Sequence, residues 1–283
     1  MIVAQCFVEF ILYSFLGWVW ESIYCTTVEK KWADRGFLFG PICPIYGSCV
    51  VAVSVLFGLI PALSDPKFPI WGIFIICVIG SAIAEFATSW VLEKRFNARW
   101  WDYSDMPLNI QGRICVPVSI CFGLAGVLIV RFLIPFVSGM LQVIHPVIYV
   151  TLALVFAAIF GADFALTEAS LSTLLKDVEK MHAEFVEKSQ SNYEKVQGGV
   201  ASIESRVNNE KQVMANRVND LKESLSKLHA NNLSPNQLRI LGSIERIIPD
   251  ERKSEEHNRT HMMLFKELKR IAGGIADKKE NEN

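Results

Sequence analysis

Residues 69–92 read PIWGIFIICVIGSAIAEFATSWVL, a stretch in which Glu85 is the only formally charged residue. At a rise of about 1.5 Å per residue, a helix over this stretch measures about 36 Å, enough to cross the roughly 30 Å hydrocarbon core of a bilayer. Four more runs of the same kind flank it, at Ile2 to Tyr24, Ile42 to Ile60, Pro117 to Phe136 and Ile144 to Phe164, each bounded by charge or proline. The expected fold class is therefore all-α: a polytopic membrane helical bundle of about five spans over residues 1–165. The hydrophobic fraction of 51% is only slightly high for a soluble chain, so distribution carries the argument. Charges are sparse up to Phe164 and fall on nearly every turn beyond Glu168, which implies two different solvents.

Lysines and arginines set the expected orientation. The connection from Cys25 to Pro41 carries Lys30, Lys31 and Arg35, and that from Glu93 to Val116 carries Lys94, Arg95, Arg99 and Arg113. The connection after Ile60 has Lys67, and that after the fourth span has Arg131 near its start. The positive-inside rule then places the two longer loops in the cytoplasm and the N-terminus outside, and an odd number of spans delivers the C-terminal extension to the cytoplasm. The N-terminus lacks the basic region and small-residue cleavage site of a signal peptide, so its apolar run reads as a retained helix. A net charge of -1 and a pI near 6.5 provide no basic field for nucleic acid.

A shift of about 72 residues aligns Trp18 with Trp90, Glu21 with Glu93, Gly40 with Gly112, Ile42 with Ile114 and Cys43 with Cys115. It maps the first two spans onto the third and fourth, a 2 + 2 parallel repeat of a kind seen among transporters. The matches fall on Trp, Glu, Gly and Cys, which recur by chance less readily than Leu or Val in apolar text.

Glu9, Glu21 and Glu85 lie inside apolar runs, where a central charged carboxylate costs about 2.5 to 3.5 kcal/mol and needs a partner, water or a proton. Ser14, Gly17, Trp18 and Glu21 share one helical stripe, and Ser81, Glu85, Thr88 and Ser89 share another, so both carboxylates are expected to face other helices. Glu21 and Glu85 fall toward the end that carries the long loops, within reach of Arg35, Arg99, Asp102 and Arg113, whereas Glu9 stands apart in the other half, where a structural role fits better.

Those loops read as built segments. The stretch from Arg35 to Gly47 combines Gly36, Gly40 and Gly47 with Pro41 and Pro44, so backbone freedom and stiffness alternate ahead of the second span. The stretch from Arg99 to Arg113 mixes Trp100, Trp101, Asp102, Tyr103, Asn109 and Gly112. It suits an interfacial aromatic belt or a capping segment that closes a polar site. Ligand or pathway candidates are thus Glu21, Arg35, Tyr46, Glu85, Arg99, Asp102, Tyr103, Asn109 and Arg113. The seven cysteines show no CxxC pair and no zinc spacing with His, so they read as small buried side chains, and no metal or cofactor motif is present.

Residues 166–232 are expected to form a coiled-coil-like stalk, with apolar residues from Leu171 to Leu228 spaced by three or four and a break at Gly198 and Gly199. That spacing offers residues 171–228 to a second copy or another protein. Residues 233–276 hold two short amphipathic helices, Gln237 to Ile248 and His261 to Ile271, and residues 277–283 a disordered tail.

The segments Phe15 to Glu21, Arg35 to Gly47, and Trp101 to Ser104 leading to Asn109 and Gly112 resemble the bacterial family of putative type IV ABC-transporter permeases, and are similar to the vertebrate transmembrane protein 229 family. The resemblance covers about residues 5–165. It implies a transport component of the cell membrane, the inner membrane in a bacterium, that works with a separate ATPase subunit, and it singles out the loop and carboxylate positions named above. The chain has no GxxxxGK[ST] loop of its own. Two other functions compete with transport: a sensor or scaffold acting through the helical extension, and a lipid-modifying enzyme using Glu or Asp as base and Arg35, Arg99 or Arg113 to hold phosphate.

Overall fold

A computed structural model describes residues 1–30, 36–197 and 235–249, together with scattered helical positions between 255 and 270. The apolar runs become α1 (Ile2–Glu29), α2 (Pro44–Leu59), a short α3 (Pro61–Ser64), α4 (Ile70–Phe96), α5 (Val116–Leu141) and α6 (Pro146–Gln197). Four of them are long and apolar enough to cross a membrane: α1, α4, α5 and the Pro146–Lys180 part of α6. Helix α2 is apolar too but shorter, 16 residues or about 24 Å. Large apolar side chains face outward all round, among them Trp20, Leu59, Trp71, Ile83, Leu124, Phe132 and Leu154. Such a surface suits lipid and not water. The protein is a membrane protein with a helical bundle.

Local chemistry explains where the helices stop. Lys30 and Asn97 take left-handed conformations after α1 and α4, and the Asn97 amide donates back to the Glu93 carbonyl. Proline opens α2 and α5 in their first turns, where a missing amide proton costs nothing.

Two helix pairs follow, α1 with α2 and α4 with α5. Both seams close on glycine. Gly47 of α2 lies against the Ser14 hydroxyl and the Phe10 carbonyl, Gly17 of α1 lies beneath the Tyr46 ring, and Gly126 of α5 lies against Cys77. The Cys43 amide donates to the Ser14 carbonyl at 2.9 Å, so α2 starts beside the middle of α1 and residues 36–43 run down into the bundle to reach it. This dip is why α2 is shorter than the span read from the sequence. In the second pair Gly123 meets Phe74 and Val78, which sets the start of α5 well short of the end of α4.

At the other end, Val8, Tyr13, Val50, Val137, Leu141 and Tyr149 form a buried cluster, and the Tyr149 hydroxyl donates to the Leu141 carbonyl at 2.9 Å. Glu9 is buried beside it with Gln5 donating to its carboxylate at 3.3 Å. Arg131 does not belong to a connection, contrary to the sequence reading. It sits inside α5, in a π-helical segment Ile129–Leu133, and donates to the Phe68 carbonyl at 2.5 Å. The widened turn and the free carbonyl ahead of α4 give this cation a partner without a counter-ion.

Contacts divide the chain into Met1–Glu168 and Ala169–Asn283. The second unit contains the α6 residues beyond Glu168 and α7 (Pro235–Ser243), with Leu171, Leu174, Val178, Ile240, Leu241 and Ile244 buried. The expected helix Gln237 to Ile248 ends early, at Ser243, and Arg246–Ile247 is extended. The break at Gly198 and Gly199, the stalk beyond it to residue 232 and the tail from residue 277 lie outside the described residues, as do His261, Leu264, Glu267 and Ile271.

The two glycines of α2 make a test. A methyl group on Gly47 would overlap the Ser14 hydroxyl and the Phe10 carbonyl, whereas one on Gly58 meets nothing within 4 Å. Gly47→Ala is expected to lower unfolding stability in detergent by about 1 to 3 kcal/mol. Gly58→Ala should leave it unchanged or slightly raised; equal melting curves for the two variants would contradict the seam.

Candidate functional site

The dip of residues 36–43 brings Tyr46 to the first turn of α2, directly across from Gly17. Only glycine fits there: a Cβ on residue 17 would lie 2.6 Å from Tyr46 Cγ. With the ring fixed, the Tyr46 hydroxyl donates to Glu21 Oε2, one turn further along α1. The Cys25 thiol reaches the other oxygen, Oε1, at 3.9 Å.

Glu85 on α4 is buried, with 6% of its surface exposed. The Tyr103 hydroxyl donates to Glu85 Oε1 at 3.3 Å, and Oε2 has no hydrogen-bond partner. Glu21 and Glu85 are within electrostatic reach of one another, as are Tyr46 and Tyr103, so α1, α2, α4 and the 97–115 loop contribute to one cluster. Among the described residues, no Arg, Lys or His forms an ion pair with either carboxylate. Tyr103 lies in the loop. Burial, then the Glu85 charge and the hydrogen bond to it, push its hydroxyl pKa well above the usual value, so it stays a donor.

The remaining loop candidates form a second arrangement. Arg99 Nε donates to Glu93 Oε2 at 2.6 Å and Arg113 donates to Glu93 Oε1 at 2.9 Å, so one carboxylate bridges two guanidinium groups. Arg99 lies 3.6 Å from Asp102, and also donates to the Gln111 carbonyl at 3.0 Å. Arg113 is buried, stacks over the Phe86 ring at 5.5 Å and has further acceptors in Ser89 and Gln111. Asn109 ties the turn together, donating to the Ser104 and Met106 carbonyls and accepting from the Gly112 amide. Gly112 has φ +68°, and a Cβ there would lie 2.5 Å from Asp102 Oδ1. A two-residue antiparallel pairing closes the loop, with Asn109 opposite Cys115 and Ile110 opposite Ile114.

Thus Glu21, Tyr46, Glu85 and Tyr103 come together as one group, and Arg99, Asp102, Asn109 and Arg113 with Glu93 as another. Arg35 lies outside the described residues. Glu93 is visible in the sequence only as the repeat counterpart of Glu21. A further residue, Asp163 of α6, is missed by sequence reading. Its two oxygens accept the Phe39 amide at 3.0 Å and the Gly40 amide at 2.9 Å, and Thr167 donates to it at 3.2 Å. A Cβ on Gly40 would lie 2.8 Å from Asp163 Oδ2, and Gly36 has φ +147°, so both glycines are needed where they stand. Pro41 and Pro44 stiffen the same descent. The signal for Asp163 was a lone carboxylate in the last apolar run.

A family model described as putative ABC-transporter type IV matches residues 8–168. No curated protein and no solved structure matches the chain.

Two variants test these attachments. Asp163→Ala leaves two backbone amides of the dipping segment without their acceptor, and each such group costs about 1 to 3 kcal/mol. Unfolding in detergent should show the loss, with Asp163→Asn milder because it keeps one acceptor. Tyr103 gives a pH signature. Its hydroxyl is held above the ordinary value of 10.0 in the folded state, so the native form keeps the proton that the unfolded form releases. The stabilisation is complete below about pH 10 and declines as pH rises beyond it. Tyr103→Phe should flatten that decline in pH-dependent melting; an unaltered slope would place the hydroxyl in water.

Proposed function

This chain belongs to the putative ABC-transporter type IV family, and from that membership we propose that it is the membrane-embedded component of a transporter that works with a separate ATPase subunit. The ligand or pathway site is the group formed by Glu21, Tyr46, Glu85 and Tyr103. The observation that carries this reading is Glu85: a buried carboxylate between helices, with one oxygen held by Tyr103 and the other unoccupied by any protein donor. A buried polar atom left without a partner is costly, and sites that exchange a ligand are where such a cost persists.

The site lies toward the end that bears residues 36–43 and 97–115. The lysines and arginines of those loops argue for the cytoplasmic side, with the N-terminus outside and the extension in the cytoplasm. An ATPase subunit would meet the protein on that side. The Glu93, Arg99 and Arg113 network holds the capping loop closed over the site, and its cations are already engaged. For that reason the lipid-enzyme reading, which needs those arginines free for phosphate, is the weaker one. The scaffold reading has one observation in its favour: α6 is a single unbroken helix from Pro146 to Gln197, which suits a partner-binding stalk through residues 171–228. We rank it second.

The test has two arms. Affinity capture of the intact protein from its native membrane should recover an ATPase with a phosphate-binding loop. With that subunit in liposomes, ATP-dependent uptake from a mixed metabolite pool should fall at least tenfold in Glu85→Gln while the complex still assembles. Capture of no ATPase, together with full signalling by a stalk-only fragment in cells, would transfer the function to the scaffold reading.

A further inference from the structure

Among the described residues, the Glu21 and Glu85 cluster lacks the cations that the neighbouring network has. Among the described residues, Glu93 and Asp102 face Arg99 and Arg113, two negative charges against two positive. Glu21 and Glu85, within electrostatic reach of one another, are met by two phenols and, at Glu21, the Cys25 thiol. A hydroxyl gives one proton, and both are already committed, Tyr46 to Glu21 and Tyr103 to Glu85. What remains on Glu85 is a buried acceptor oxygen with no donor, and Glu21 has lone pairs to spare. A group that donates hydrogen bonds and carries positive charge would complement both carboxylates at once.

We propose that this cluster binds an organic ammonium ion, an inference that rests on reading the cluster as the ligand site. The charged nitrogen sits between the two carboxylates. A primary ammonium has three N–H donors, enough to serve Glu85 Oε2 and Glu21 together, and charge-assisted hydrogen bonds of this kind are roughly twice as strong as neutral ones. The wall is aromatic as well as acidic. Tyr46 packs against Phe122 with ring centroids 6.3 Å apart, and Tyr103 brings a second ring to Glu85, so aromatic carbon lies beside both carboxylates. A bare metal ion fits less well. Hard cations want six or more oxygen ligands, and among the described residues no group of three or more His, Cys, Asp or Glu is arranged to hold one.

Two sources supply this chemistry, a soluble amine and the amine head group of a membrane lipid. The intact protein in nanodiscs of phosphatidylglycerol alone removes the second source. In these discs, ethylammonium chloride should bind saturably by calorimetry and raise the melting temperature, while tetramethylammonium, which has no N–H, should bind at least tenfold more weakly. Sodium chloride at equal ionic strength should do neither. Glu85→Gln and Glu21→Gln should each weaken ethylammonium binding at least tenfold, with the helical spectrum unchanged. Glu21 is partly exposed, so it carries the test if the Glu85 variant fails to express. Repeating the titration with phosphatidylethanolamine in the disc identifies the source: competition assigns the lipid head group, and its absence a soluble amine.

The inference is overturned if sodium and ethylammonium act alike, if neither carboxylate variant changes binding, or if ethylammonium does not bind. Recovery of the ATPase by capture alongside such a failure would remove the ammonium assignment and leave the transport reading standing.

Discussion

Everything at the loop end of this bundle depends on one hydrogen bond, from the Cys43 amide to the Ser14 carbonyl. By starting α2 beside the middle of α1, it obliges a non-helical strand, residues 36–43, to run inside a bundle that otherwise faces lipid. Irregular backbone at that depth persists only when its polar groups are met by protein. Asp163 meets two of them, and Thr167 stands beside it. The geometry that results places Tyr46 opposite Gly17 and so delivers its hydroxyl to Glu21. A full-length α2 would have satisfied its own backbone and left that carboxylate facing an apolar helix.

The same end of the molecule contains two solutions to the problem of charge in a low dielectric. In the 97–115 loop the charges are paired and their hydrogen-bonding capacity is largely filled, which makes Glu93, Arg99 and Arg113 a closure rather than a recognition surface. Breaking such a pair by removing one partner costs about 3 to 5 kcal/mol, so the arrangement is rigid once formed. In the adjoining cluster the carboxylates have neutral donors only. That is the less stable choice for a scaffold, and the appropriate one for a site that must accept and release something.

The sequence showed the membrane helices because length and apolarity are sufficient for that inference, and it showed Glu21 and Glu85 because a carboxylate in an apolar run is conspicuous. Tyr46 and Tyr103 were legible as loop residues of interest, but not as the donors to those carboxylates, since that pairing depends on where α2 begins. The short α2 was hidden because Ile42 and Cys43 are as apolar as the helix they precede. Asp163 escaped because its partners are backbone amides, which every sequence has. Arg131 was misplaced for a related reason: its acceptor is the Phe68 carbonyl, and a backbone partner leaves no trace in composition.

The shift of about 72 residues sets two similar places in the sequence side by side, one paired with cations and one not. Under the shift of about 72 residues Glu21 corresponds to Glu93, and the cations that neutralise Glu93, Arg99 and Arg113, correspond to Thr27 and Pro41. Glu85 in turn corresponds to Tyr13, whose buried hydroxyl has no partner. Positions matched by the shift thus differ in charge: one set carries the arginines that pair with Glu93, and the other carries Thr27 and Pro41 in their place. Had both halves acquired arginines, the loop end would be two closed networks with nowhere for a ligand. With arginines on Glu93 and only phenols and a thiol on Glu21 and Glu85, the loop end has one closed network beside a cluster in which Glu85 Oε2 is left without a donor.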